Sequence, residues 1–191
     1  MTTNLASAAQ RMAALLDGVA DDQLRAPTPC PDYSLGDLVD HVGGFAIAFT
    51  AAAEKATLPG DAQTASGDAS RLGDDWRART GGALHRLAEA WQKPDAWTGM
   101  TQAGPIEMPG EIAGVVALNE LVVHGWDVAR ASGQPYEIDD ETLATCQGFY
   151  SMFGEDDRGD AFGSVVDVPD DAPLLDRVIG LSGRDPGWTP T

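Results

Sequence analysis

The sequence predicts an all-α protein built around four long helices, and three observations carry that prediction. Apolar residues recur at steps of three and four in four separate segments, which is the periodicity of an amphipathic helix. Residues that begin and end helices stand at the boundaries of these segments. Strand-compatible sequence is confined to one short stretch. Long helices joined by loops predict a helix bundle, which builds its functional sites from side chains on facing helices.

The first two helices are separated by a proline-rich linker. The first helix is predicted over residues 4–19. Residues 25–33 contain three prolines and cannot be helical, because each proline lacks an N–H donor and restrains the residue before it. Ser34 stands three residues before Asp37, an approximate capping box that begins a second helix continuing to about Lys55.

The middle of the chain holds two further helices and a candidate hairpin. Residues 57–69 are rich in Gly, Ala, Thr, Ser and Asp and are predicted to form a mobile loop. A third helix is predicted over about 70–92, and a fourth, the most apolar, over 111–131 with Gly133 at its end. Between these two helices, residues 94–110 contain short strand-compatible pieces that allow a small hairpin.

The C-terminal part is predicted to contain a fifth helix and an irregular tail. The fifth helix covers 140–153 and begins after a cap at Asp139. From residue 155 onward the sequence is rich in Gly, Pro and Asp, with one or two helical turns around 173–181.

Length and charge limit the classes of function. The 191 residues contain 30 acidic and 12 basic side chains, a formal net charge of −18, and fit a single domain over 1–191. Such an acidic chain lacks the clustered Lys and Arg that nucleic acid or an anionic membrane requires. We find neither a signal peptide nor an apolar run of 18 residues, and we expect a cytoplasmic monomer or homodimer.

Two histidines and one glutamate form a candidate metal site. His41 lies one turn from Leu38 and one turn from Phe45, so it shares the apolar stripe of the second helix. On the fourth helix Glu120 precedes His124 by four residues, which makes the two side chains neighbours. A carboxylate flanked by apolar residues costs several kcal/mol unless a cation neutralises it. Two imidazoles and one carboxylate suit zinc and other first-row metals, including non-haem iron.

Other polar residues leave alternatives open. Asp127 lies on the same face as Glu120 and His124, where it either orients His124 through a hydrogen bond or contacts a substrate directly. A single histidine on an apolar stripe is more often a hydrogen-bonded core residue than a ligand, and Glu-x-x-x-His pairs are common on solvated faces. His85 is expected on the surface. Cys30 and Cys146 form neither a disulfide framework nor a cysteine-based zinc module.

Three segments carry a resemblance to a known family that spans essentially the whole chain. They are Thr-Pro-Cys-Pro-Asp-Tyr-Ser-Leu-Gly-Asp-Leu-Val-Asp-His over 28–41, Leu-Asn-Glu-Leu-Val-Val-His-Gly-Trp-Asp-Val-Ala-Arg-Ala-Ser-Gly over 118–133, and Leu-Ser-Gly-Arg-Asp-Pro over 181–186. In these segments the sequence resembles the DinB-like metal-binding bundles, specifically the branch of the mycothiol-dependent maleylpyruvate isomerases.

The resemblance implies a DinB-type four-helix bundle with a divalent metal, usually zinc and sometimes nickel, on His41, Glu120 and His124. Family members are similar to thiol transferases in which the metal activates the thiol of a small cofactor such as mycothiol. The implied function is a metal-dependent S-transferase whose partners are a small-molecule thiol and an electrophile.

Two other classes of function remain open. In a non-catalytic metal-binding or stress-response bundle, the metal only ties the second helix to the fourth. In a purely structural bundle, no metal binds. The full isomerase resembles a two-domain protein whose C-terminal domain supplies an arginine that recognises its dicarboxylate substrate. This chain is shorter, so we do not expect it to isomerise maleylpyruvate.

Overall fold

Six α-helices and one two-stranded hairpin make up the part of the chain that the computed structural model describes, residues 4–58, 66–154, 158 and 163–190. The helices and strands are α1 Leu5–Asp17, α2 Leu35–Ala53, α3 Trp76–Ala90, β1 Met100–Ala103, β2 Ile106–Pro109, α4 Gly110–Ser132, α5 Asp140–Tyr150 and α6 Leu174–Leu181. Short 3-10 turns occur at Asp21–Arg25, Ala69–Arg71 and Pro94–Trp97. The prediction of an all-α bundle with a fifth helix and a small hairpin is confirmed.

The first four helices form the bundle, and the last two cover one side of it. Both α1 and α2 pack against α3 and α4, so α1 and α2 occupy opposite corners. The antiparallel β-hairpin packs on α2 and α4, α5 packs on α4, and α6 packs on α5. The apolar stripes of the four bundle helices meet in one core, whose largest fully buried side chains include Met12, Phe45, Leu38, Leu84 and Leu118.

The start of α2 is fixed by the capping box that the sequence predicts. The backbone N–H of Ser34 donates to Asp37 Oδ2 at 3.0 Å, and the Asp37 N–H donates to Ser34 Oγ at 3.3 Å. The proline linker folds back on this cap, because Leu35 N–H donates to the Ala26 carbonyl and Pro27 bridges to Ser34. The beginning of α2, less than two turns before His41, is therefore held in one position.

Helix α4 is the central element of the site described below. It ends at Gly133, whose φ of 73° is the left-handed conformation that favours glycine at a helix end. The helix is long and apolar enough to cross a membrane by those two criteria alone, but 78% of its most apolar window is buried inside the protein. This burial is the behaviour of a core helix, which other helices surround.

The prediction for α3 was wrong at its beginning. The expected helix starts near residue 70, whereas α3 begins at Trp76 after a separate 3-10 turn. Gly73 and two aspartates interrupt the helical pattern, because glycine and aspartate both disfavour the interior of a helix. Arg71 anchors the turn to α2 through Asp40 at 2.6 Å. Of the loop predicted over 57–69, residues 59–65 lie outside the described part of the chain.

Close packing at Gly114 joins α4 to two tryptophans. The indole N–H of Trp91 donates to the Phe49 carbonyl at 3.0 Å, and that of Trp97 donates to the Trp91 carbonyl at 2.8 Å. Both rings are therefore fixed. A Cβ at Gly114 would lie 2.5 Å from Trp97 and 2.8 Å from Trp91.

We expect Gly114→Ala to destabilise the protein by about 1–3 kcal/mol, because the added methyl group overpacks a site whose neighbours cannot move. The matched control is Gly81→Ala in α3, where a Cβ meets no atom within 4 Å. That variant is expected to be more stable by about 0.5–1 kcal/mol, the usual gain of alanine over glycine in a helix. Urea unfolding of both variants measures the two free energies, and effects of the same sign would contradict the packing at Gly114.

Candidate functional site

One side chain of α2 and two of α4 meet between these helices. Glu120 Oε2 lies 3.3 Å from the Nε2 atom of His41 and 3.3 Å from the Nε2 atom of His124. The three potential ligand atoms all lie within 4.8 Å of one another. In the described residues, this is the group of histidine, cysteine and acidic side chains whose geometry could hold a metal ion.

Aromatic packing sets the orientation of the two imidazoles. The His41 ring lies 5.4 Å from the Tyr33 ring and 5.6 Å from the Phe45 ring, measured between centroids. It meets the His124 ring edge to face at 4.8 Å and 81°. Tyr33 belongs to the linker and Phe45 to α2, so the linker and the helix stripe together direct the Nε2 atom of His41 toward Glu120.

A second carboxylate holds the other side of the His124 ring. Asp127 Oδ2 lies 2.9 Å from His124 Nδ1, and the Asp127 side chain has 0% of its surface exposed. Arg184, from the segment after α6, binds the same carboxylate through two nitrogens. Its Nε lies 3.0 and 3.1 Å from the two oxygens, and its Nη2 lies 3.0 Å from Oδ2. The result is a buried chain of contacts from Arg184 through Asp127 to His124.

The electrostatics of the cluster favour charge separation. Burial disfavours the charged form of His124, but hydrogen bonds with Asp127 and Glu120 outweigh it and raise the pKa of His124 to about 9. Burial likewise opposes ionisation of Glu120, but hydrogen bonds with His124 and His41 hold the pKa of Glu120 far below its ordinary value. In the ion-free protein at neutral pH, His124 is therefore charged, and each of its ring nitrogens donates a hydrogen bond to a carboxylate.

A cavity of about 50 Å³ adjoins the cluster. Glu120 and His124 form one wall, and Arg184 forms another. The remaining lining comes from α4 and α5, namely Val116, Asn119, Val123, Phe149 and Tyr150. The space lets a small molecule reach the Glu120 and His124 side chains without displacing the core.

The two protein thiols are poorly suited to act as nucleophiles. Burial raises the pKa of the Cys30 thiol, and burial raises the pKa of Cys146 to about 12. Cys146 is fully buried in α5, where it packs against the core. Both shifts favour the protonated thiol over the nucleophilic thiolate.

The residues that the sequence selected as a candidate metal site are brought together. His41, Glu120 and His124 share one cluster, and Asp127 touches His124 on the side away from Glu120. His85 lies apart from them on α3, with 74% of its side chain exposed and an ion pair to Glu89.

The sequence did not identify two residues that the structure adds to the site. Arg184 lies in the Leu-Ser-Gly-Arg-Asp-Pro segment that contributed to the family resemblance, but no pattern linked it to Asp127, 57 residues away. Asn119 precedes Glu120 directly and is buried beside the cavity. A polar residue within the most apolar helix was the available signal.

The chain matches one family model and is similar to two curated proteins. The family model of the mycothiol maleylpyruvate isomerase N-terminal domain matches residues 5–129. Two curated proteins of Mycobacterium tuberculosis, MT0763 from strain CDC 1551 / Oshkosh and Rv0738 from strain ATCC 25618 / H37Rv, are each 27% identical over 180 residues. Each alignment covers 90% of this chain and 91% of the relative, and both relatives are described as uncharacterized proteins.

Solved structures share the fold. The crystal structure of the mycothiol-dependent maleylpyruvate isomerase, and that of a histidine-to-alanine mutant of it, each superpose with a TM-score of 0.61 at 18% identity. The match covers 76% of this chain and 66% of the isomerase chain, so a substantial part of the isomerase lies outside it. This likeness shows a common fold.

We expect Arg184→Ala to destabilise the ion-free protein by about 3–5 kcal/mol, because the substitution removes the guanidinium that pairs with the buried Asp127 carboxylate and leaves it only His124, which Glu120 shares. The control is Arg79→Ala, which removes an exposed pair with Asp75 at 3.8 Å and should change stability by less than about 0.5 kcal/mol. Chemical denaturation at pH 7 measures both. Equal effects of the two substitutions would contradict a structural role for the Arg184–Asp127 pair.

Proposed function

The chain belongs to the mycothiol maleylpyruvate isomerase N-terminal domain family, and from that premise we propose that it is a metal-dependent thiol S-transferase. Its cosubstrate would be mycothiol or a related small thiol, and its second substrate an electrophile. The observation that carries this proposal is the convergence of Glu120 and the Nε2 atoms of His41 and His124 beside a cavity.

The donor set fits a divalent cation. Two imidazole nitrogens and one carboxylate oxygen are ligands that zinc and nickel both accept, and we propose zinc as the native ion. Asp127 accepts a hydrogen bond from Nδ1 of His124, which leaves Nε2 of that ring free to bind a metal once its proton has left. We propose that Asp127 orients His124 in this way, because its carboxylate is fully buried between His124 and Arg184.

With a divalent cation bound, the charges of the site would favour one anionic ligand atom on that ion. Asp127 and Arg184 neutralise each other, so Glu120 contributes the one uncompensated negative charge among the proposed ligands and their partners. A bound divalent cation would lower the pKa of a thiol ligand so that the thiolate forms near neutral pH. With Glu120 supplying one negative charge, a single thiolate makes the buried site neutral, which limits the cost of desolvation.

The cavity favours chemistry over a purely structural metal site. Structural zinc sites are closed by four protein ligands, whereas catalytic sites keep a position for substrate. The cluster in the described residues has three candidate ligands, and Asp127 is engaged elsewhere. Glu120 and His124 both line the cavity, so an ion held by the three side chains would be within reach of a small molecule there.

We expect the zinc-loaded protein to accelerate the reaction of mycothiol with 1-chloro-2,4-dinitrobenzene, measured by the absorbance of the thioether product. His41→Ala should bind zinc at least about a hundredfold more weakly and should lose the activity. Replacing a residue that only hydrogen-bonds to a metal ligand already lowers metal affinity by about 10–100-fold, and His41 is a proposed ligand itself. The control His85→Ala replaces an exposed histidine, and it should keep the zinc affinity and the reaction rate of the natural sequence.

Elemental analysis of protein purified without a metal-affinity tag accompanies this assay. Stoichiometric zinc with no acceleration of thiol consumption for any of several electrophiles would support the non-catalytic metal-binding bundle instead. Zinc content that is near zero and unchanged by His41→Ala would overturn the metal site itself.

We expect the apparent zinc affinity to rise with pH up to about 9. The pKa of His124 is raised to about 9 in the ion-free protein, so zinc has to displace a proton at lower pH, at a cost of about tenfold in affinity per pH unit. Glu120 stays ionised throughout this range. Asp127→Asn should shift the plateau to lower pH, because it removes an anionic hydrogen-bond partner that favours the proton. Chelator competition from pH 6 to 10 measures both curves, and an affinity that is constant between pH 7 and 9 would contradict the prediction.

A further inference from the structure

Asn119 has a buried hydrogen-bond acceptor that no group in the described residues satisfies. Its side chain is almost fully enclosed, with 3% of the residue exposed, and its Nδ2 donates to the Val115 carbonyl at 2.9 Å. The Oδ1 atom has no hydrogen-bond partner in the described part of the chain. Leaving a buried acceptor unpaired is costly, and such groups are rare in folded proteins. A ligand that donates a hydrogen bond would remove this cost.

The cavity beside Asn119 has room and chemistry for such a ligand. Its volume of about 50 Å³ accommodates roughly three water-sized groups, since one water needs about 10–15 Å³. Arg184 lines the same cavity. Its bonds to Asp127 and to the Ser182 carbonyl engage all three of its nitrogens but leave two of its five N–H groups unused in the described structure.

The surroundings select a neutral group rather than an anion. An anion in the cavity would place acceptors against Asn119 Oδ1 and a second negative charge beside Glu120. A hydroxyl or amide both donates and accepts, so it can donate to Asn119 and accept from Arg184. Val116, Val123 and Phe149 supply apolar walls for the carbon atoms that carry this group.

We propose that this cavity is a subsite for a hydroxyl or amide group of the thiol cosubstrate, and that Asn119 is its specificity-determining residue. The inference rests on the proposed function, because Glu120 and His124, which would hold the ion that binds sulfur, border the same cavity. A thiol bound there directs its carbon chain into the subsite. The preferred substrate class is then a thiol that carries an O–H or N–H group within about three heavy atoms of sulfur.

The first test compares two thiols of nearly equal size. 2-Mercaptoethanol ends in a hydroxyl, and 1-propanethiol ends in a methyl group. By calorimetry on the zinc-loaded protein, we expect 2-mercaptoethanol to bind about tenfold more tightly, the value of one net hydrogen bond. Asn119→Leu keeps the number and branching of the side-chain heavy atoms and removes the acceptor, so it should abolish the preference. Retention of the preference in Asn119→Leu, or its absence in the natural sequence, would overturn the assignment.

The second test needs neither metal nor thiol. If Asn119 serves to bind a ligand, metal-free Asn119→Leu should unfold at a higher temperature than the natural sequence, because the unpaired acceptor is gone. The Val115 carbonyl keeps a partner, since the backbone N–H of residue 119 donates to it within the helix. The control is Thr101→Val, which removes a buried hydroxyl that donates to the Ala52 carbonyl at 2.5 Å and should lower the melting temperature.

The two tests separate the subsite from the function on which it rests. If neither thiol binds the zinc-loaded protein, the proposed thiol chemistry fails, and the thiol subsite that rests on it fails as well. A lower melting temperature for Asn119→Leu makes Asn119 a structural residue and overturns the subsite even if thiols bind. A higher melting temperature together with a lost preference supports both the subsite and the thiol function.

Discussion

The position of one carboxylate, Glu120, between two imidazole nitrogens is the constraint on which the site depends. A carboxylate among apolar side chains has to be compensated, and here His41 and His124 approach the same oxygen from two different helices. This is possible only because α2 and α4 are neighbours in the bundle. The capping box at Ser34 and the proline linker, which fix the start of α2, therefore contribute to the geometry of a site that lies farther along that helix.

The site is assembled from two distant parts of the chain, and the family model matches the first of them. The family match ends at residue 129, within α4, and includes His41, Glu120 and His124. Arg184 lies far beyond that match, yet it binds Asp127 and forms a wall of the cavity. The C-terminal segment thus completes the charge balance of α4 and lines the space beside the candidate ligands.

Charge pairing explains how so many ionisable groups share a small volume. Asp127 and Arg184 cancel, and Glu120 is stabilised by its contacts with the two imidazoles. The protein as a whole carries a formal net charge of −18, so its long-range field disfavours anionic ligands. A cavity that presents an unpaired amide oxygen and a guanidinium already committed to a carboxylate matches a neutral, hydrogen-bonding partner.

The sequence by itself determined the helices and the candidate ligands, because both follow from local spacing. Periodicity and caps predicted the bundle, and the four-residue step from Glu120 to His124 placed those two side chains together on one helix. Only the tertiary structure decided the distance from His41 to Glu120, the pairing of Arg184 with Asp127 and the unpaired oxygen of Asn119. These depend on which helices become neighbours and on the closeness of their packing, and no spacing along the chain encodes contacts between residues 57 or 79 positions apart.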